Sequence, residues 1–144
     1  VGAATEIEMM EKKHRIDDAL EAVRAAQEAG IVPGGGIALF RASSALEGVY
    51  GDNEEQNYGI QVIHDACTAP LRQMAINAGE SPDLIIQKVS ALEDDEGFDF
   101  LRRETTNLFE SGIIDPCKVT TSALQNAASA AGTLLTTSHA IVYT

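Results

Sequence analysis

The stretch GIVPGGGIALF, Gly30–Phe40, sets three consecutive glycines between two helical patterns. Glycine loses more backbone freedom on folding than any other residue. Gly34, Gly35 and Gly36 together therefore require positive φ, close approach of another backbone, or close approach of a ligand. Gly30 has an ordinary explanation as the C-cap of the helix before it. A tight helix–helix turn and a ligand-facing loop account equally for the others. Two phosphate motifs are excluded: no Lys-Ser or Lys-Thr follows, as a P-loop needs, and GxGxxG is absent with no strand before it.

Upstream, Ile7–Ala29 is rich in Glu, Lys, Ala and Met and contains no Gly or Pro, which predicts one long helix. Ile16, Leu20, Val23 and Gln27 fall at helical spacing and mark its expected buried stripe, with Glu11, His14, Asp18 and Glu21 opposite. Downstream, Ile37–Leu46 predicts a second helix. Asp52 or Asn53 caps a third, carrying Ile60, Ile63 and Cys67. Pro70 breaks that helix and starts a fourth, Leu71–Asn77. Ser81-Pro82-Asp83 opens a short fifth. Leu92–Asp99 is expected to be a loop or hairpin, and Leu101–Glu110 a short helix stopped by Gly112. Ile113–Pro116 repeats the cap-then-proline signal and opens a helix to about Leu135. Its small residues, Ala123 to Gly132, are expected to place it at the centre of a bundle. His139–Tyr143 alternates and predicts one terminal strand.

The chain has 144 residues, room for one medium domain with a real core or one domain with an appendage. Its 22 acidic and 10 basic residues give a net charge of −12, which argues against nucleic acid or an anionic membrane as partner. No apolar run is long enough to span a bilayer and no signal peptide is visible. Cys67 and Cys117 lack metal-ligand spacing and read as reduced cytoplasmic thiols. Glu93-Asp94-Asp95-Glu96 could bind a cation, but a solvated acidic loop is the simpler account, and no metal site is expected. Val1 begins in mid-pattern, so the chain is expected to be a piece of something longer.

Five blocks carry a family resemblance: VGAATEIEM with EKKHRIDDAL, GIVPGGGIAL, NEEQNYGI, APLRQMAINAGE, and SGIIDPCKVTTSALQNAAS. Together, and in this order, they resemble the C-terminal part of a group I chaperonin, the GroEL type. The resemblance implies a mainly α fold: a helical bundle of the equatorial-domain type, a long intermediate-domain helix and a short terminal strand. Residues 1–28 would be the descending intermediate-domain segment, and residues 29–144 the C-terminal half of the equatorial, ATP-binding domain. It further implies ATP as ligand, with Mg2+ held mainly by residues outside this chain. The implied partners are a homo-oligomeric double ring, with unfolded proteins and a co-chaperonin engaged through an apical domain outside this chain. The implied parent is an ATPase; the chain alone, without the family's phosphate-binding loop, is expected to be inactive.

The resemblance also assigns site residues. Asp18 matches the catalytic carboxylate that positions or activates the water attacking the γ-phosphate. A carboxylate can accept that water's hydrogen bond. From the residues alone, Asp17 is an equal candidate, and a solvated Asp18 paired with His14 is the simpler account. Gly34 and Gly35 match the glycines lying against the nucleotide. Asp115 matches a ribose-hydroxyl acceptor, although an Asp before Pro is also an ordinary N-cap. Asp99-Phe100-Leu101 stands where the family commonly has Asn or Asp and small residues on the adenine side. Asp99 can accept from the adenine amine but, ionised, cannot donate to a ring nitrogen; Phe100 either stacks on the base or crowds it. A nucleotide-independent helical interaction module is the alternative function.

Overall fold

The structure, a computed structural model, describes residues 2–142. It is mainly α, as expected. Thr5 caps the long helix α1 (Glu6–Ala29), its hydroxyl accepting from the Glu8 amide at 3.2 Å. Gly30 closes it at φ +79°, donating its N–H to Ala26 O at 2.8 Å. A short strand β1 (Ile31–Pro33) leads through the glycines into α2 (Ile37–Ala42), which runs on as a single 3-10 turn, Ser43–Leu46. Asn53 caps α3 (Glu54–Ala66) by accepting from the Gln56 amide at 2.9 Å. Pro70 and Pro82 stand in the first turns of α4 (Ala69–Asn77) and α5 (Pro82–Ser90). Proline's missing N–H is harmless there. Ser81 occupies the cap position of α5 without its hydroxyl accepting a bond.

The core lies directly beneath the glycine loop. Ile37, Leu71, Ala75, Ile85, Val89, Phe98 and Leu108 form one buried cluster, with Phe40, Ile86, Phe100 and Ile113 packed against it. Residues from α2, α4 and α5 meet there with a hairpin.

That hairpin replaces the helix expected over Leu101–Glu110. Strand β2 (Glu96–Asp99) pairs antiparallel with β3 (Glu104–Asn107), Phe98 opposite Thr105 and Gly97 opposite Thr106. Two β-branched threonines favour the extended strand. Arg103 takes φ +59° at the turn, and Gly97 leaves the space that Ile37 and Leu108 fill: a Cβ there would lie 2.1 Å from Ile37 Cδ1. A second unpredicted pairing joins β1 to β4 (Ile114–Pro116), with Val32 opposite Asp115. Pro116, not Asp115, is therefore the N-cap residue of α6 (Cys117–Leu135).

Two burial expectations are corrected. Helix α6 is not central: it has no buried residue, and Cys117, Thr120 and Leu124 are its partly covered positions. Its small residues face solvent. On α1, Ile16, Leu20 and Val23 are 48%, 52% and 56% exposed; Ala22, Ala25 and Ala26 are the partly covered positions. The 3.6-residue period identifies which face is apolar, but the contacts of α1 with α6 and β4 fall on a different face. Residues 139–142 form no strand, and Tyr143 lies outside the described residues. A lone strand has no ladder to join, and both pairings among the described residues are made elsewhere.

Gly36 and Gly79 both have positive φ, +75° and +72°, but differ in surroundings. A Cβ on Gly36 would sit 2.8 Å from the backbone nitrogen of Leu71, whereas one on Gly79 would meet nothing within 4 Å. Gly79→Ala should cost about 1–2 kcal/mol from left-handed strain alone. Gly36→Ala should cost about 2–4 kcal/mol, because overpacking against α4 is added. Urea unfolding of the two variants checks this; equal losses would mean that the close approach at Leu71 carries no energy.

Candidate functional site

The glycine loop is held by main-chain contacts on both sides. Gly34 donates its N–H to Ile113 O at 2.9 Å, and a Cβ on it would lie 3.1 Å from the Ile113 backbone. Gly34 is buried, and its own carbonyl accepts from Ile37 N at 3.4 Å. Gly35 is different: it is only partly covered, has φ +72°, and a Cβ would make ordinary contact, 4.0 Å, with Phe98 O. Of the two glycines expected at the nucleotide, Gly35 is thus the one open to a ligand, while Gly34 is engaged internally.

The contacts converge on one place. Gly34 binds the chain just before β4, β1 pairs with Asp115 itself, and Gly35 lies against β2 one residue from Asp99. Three segments far apart in sequence meet around a loop that lacks side chains.

The adenine-side residues behave unequally. Asp99 is 7% exposed, and its Oδ1 accepts from the amides of Leu101 at 2.8 Å and Arg102 at 3.1 Å. Its Oδ2 lies 3.8 Å from Arg102 Nε. The carboxylate therefore holds the tip of the β2–β3 hairpin. The Phe100 ring packs edge-on to Phe98, centroids 5.1 Å apart at 73°, and joins the core margin. Leu101 stands at the tip, 92% exposed.

Asp115 is placed better for a ligand. It does not cap α6, and among the described residues no hydrogen bond or ion pair engages its carboxylate. Although the residue keeps solvent contact, partial desolvation pushes its carboxyl above the ordinary value of 3.8. An acceptor with free lone pairs, beside a loop without Cβ atoms, is suited to a hydroxyl donor.

Asp18 is exposed on α1, twelve residues before Gly30, which at 1.5 Å per residue is about 18 Å along the helix. Neither the His14 pair nor any other ion pair holds it among the described residues. Asp17 is equally exposed.

Arg41 was not foreseen. A single arginine in a short helix carries no motif, yet its guanidinium reaches across to the acidic run at Glu93–Glu96. Among the described residues no group of three or more His, Cys, Asp or Glu is arranged to hold a metal ion. No described helix is long and apolar enough to cross a membrane. Burial pushes the Cys67 thiol up, which makes it a packing residue.

With this geometry in view, comparison with known protein families places the chain. The profile of the TCP-1/cpn60 chaperonin family covers residues 1–143, nearly the whole chain. The chain belongs to that family, whose work is the assisted folding of other proteins.

Linkage fixes the sign of one pH effect. With its folded-state pKa raised, ionised Asp115 opposes folding. That cost is absent when the carboxyl is protonated in both states and grows as pH rises through the raised value. Asp115→Asn should therefore raise the melting temperature at neutral pH, and the gain should vanish below the ordinary carboxylate range. Thermal unfolding of both proteins between about pH 3 and pH 7 tests this; a gain that persists at the acid end would assign the effect to something other than the charge.

Proposed function

We propose that this chain supplies part of the ATP site of a group I, GroEL-type chaperonin ring. Residues 1–28 would form an intermediate-domain segment and residues 29–144 the C-terminal half of the equatorial domain. The observation that carries this is the β1–β4 pairing, which sets Asp115, with its unengaged carboxylate, opposite Val32, three residues before Gly35. Gly35 lets a ligand approach the backbone. Asp115 accepts from a ribose hydroxyl. Asp99 contributes mainly by shaping the hairpin, since its Oδ1 already accepts two amides and only Oδ2 is left without a hydrogen bond, so the base edge is read weakly here. Phosphate-holding groups and the ligands of Mg2+ lie outside this chain.

Asp18 acts on the attacking water, accepting its hydrogen bond and aligning it in line with the phosphoryl group. Such an orienter or base contributes typically ~10²–10⁴ in rate. Its place on the polar face of α1, free of any pair, leaves it available to work across a cleft. Substrate proteins, a co-chaperonin and the other subunits of a homo-oligomeric double ring are the partners of this assembly, which works in the cytoplasm.

A second function, a nucleotide-independent helical interaction module, is favoured by one observation: Asp99 Oδ1 already accepts two amides of the hairpin tip.

Titration of the chain with fluorescent ATP separates the two. The first gives saturable binding, weakened about tenfold or more by Asp115→Ala, as loss of a charge-assisted hydrogen bond requires. Asp18→Ala leaves that affinity unchanged, and the chain alone shows no turnover. Placed in a longer protein that completes the site, Asp18→Ala slows hydrolysis by about 10²–10⁴, and Asp17→Ala, some 100° around the helix, does so far less. Absence of binding, or an Asp17 effect larger than that of Asp18, counts against the assignment.

A further inference from the structure

The loop after α5 turns its main-chain carbonyls onto a single side chain. Arg41 donates from Nη2 to the carbonyls of Leu92 (3.4 Å), Glu93 and Glu96 (3.0 Å), and from Nη1 to Asp94 Oδ1 (3.4 Å). Its side chain is 19% exposed, while that of Asp94 is 97% exposed. An ion pair open to water on one side contributes little, so the carbonyls are the partners that matter. They follow the end of α5 at Ser90, where the helix dipole is negative, and two of the three belong to the run of four consecutive acids, Glu93–Glu96. Without a cation at this spot, converging carbonyl oxygens and the acidic run would repel one another.

The consequence reaches the candidate site. Arg41 is on α2, the helix that leaves the glycine loop. At its N-terminal end, α2 lays Ile37 on Gly97 of β2; at its C-terminal end, Arg41 binds Glu96 O at the start of the same strand. The β2–β3 hairpin is therefore fixed to the glycine-loop helix at two points. A two-stranded hairpin is marginal without such support.

We propose that Arg41 is a positioning residue: its guanidinium clamps the β2–β3 hairpin against the glycine loop and so sets the distance between Gly35 and the Asp99–Leu101 tip. The planar fork matters because it sets Nη2 on the loop carbonyls and Nη1 on Asp94 Oδ1 together in one rigid arrangement; lysine's single ammonium on a flexible stem cannot span both. The part of this that concerns ligand binding rests on the ATP-site assignment above.

Hydrogen exchange of the 144-residue chain without nucleotide tests the clamp. In Arg41→Ala, which keeps a good helix former in α2, amides of residues 96–108 should exchange about tenfold faster or more, while α4 changes less than about twofold. Methylguanidinium should restore protection, and methylammonium should not. Should the alanine variant fail to fold, Arg41→Lys carries the same comparison, with a smaller hairpin effect. Uniform acceleration of hairpin and α4 alike, or equal rescue by both cations, overturns the clamp. Fluorescent ATP then tests the positioning role: affinity should fall in Arg41→Ala and recover with methylguanidinium. Unchanged affinity despite faster hairpin exchange overturns that role. Failure of the native chain to bind ATP refutes the site assignment instead, and the exchange result alone decides on the clamp.

Discussion

At Gly34 and Gly36 the chain passes so close to two other backbones that a Cβ would crowd them, most severely at Gly36. Gly34 meets Ile113, which precedes β4, and Gly36 meets Leu71 at the start of α4. Ile37, fully buried, enters the core on the next residue. The core, the β1–β4 pairing and the approach of the hairpin all follow from these two contacts. Main-chain packing at this distance is intolerant of volume, so the loop acts as the common origin from which the other elements are placed.

How much of this the sequence announced depends on the kind of interaction involved. Helix boundaries set by local chemistry were legible: Gly30 closes α1, Asn53 caps α3, and Pro70 and Pro82 open α4 and α5. The two strand pairings were not, because β2–β3 and β1–β4 depend on partners rather than on the pattern of either segment. Thr105-Thr106 was the available cue for the hairpin and was outweighed by the helix formers around it. Burial was misjudged for α1 and α6 because periodicity and small size describe a face, not what touches it. In the site, three glycines were visible at once, but only the structure separates Gly35, open, from Gly34, engaged. Asp115 changed role: the helix-capping explanation weakens once Pro116 is found at the cap. Asp99 changed in the other direction, since its Oδ1 is used by the hairpin tip.

Charge is distributed with some economy in this acidic chain. Several of its few cations each tie an acidic or carbonyl-rich element to another: Arg72 to Asp83 between α4 and α5, Arg103 to Glu80 between the hairpin and the α4–α5 turn, Lys118 to Glu28 between α6 and α1. Exposed pairs of this kind contribute little singly. Their value here is in register, because each joins two different elements. Arg41 differs in being mostly covered and in binding three main-chain carbonyls at once.

Helix α1 has 24 residues, about 36 Å at 1.5 Å per residue, and its covered positions lie in its last third. It is a beam anchored at one end. Geometry then amplifies whatever happens at the anchor: tilting such a beam by about 10° carries its free end roughly 6 Å and a point halfway along about 3 Å. Asp18 sits near that midpoint. A repacking of about 1 Å across the roughly 6 Å from Ala22 to Ala26, against the first turns of α6, gives a tilt of that size and would be read out at Asp18 as a displacement about three times larger, comparable to the length of a hydrogen bond.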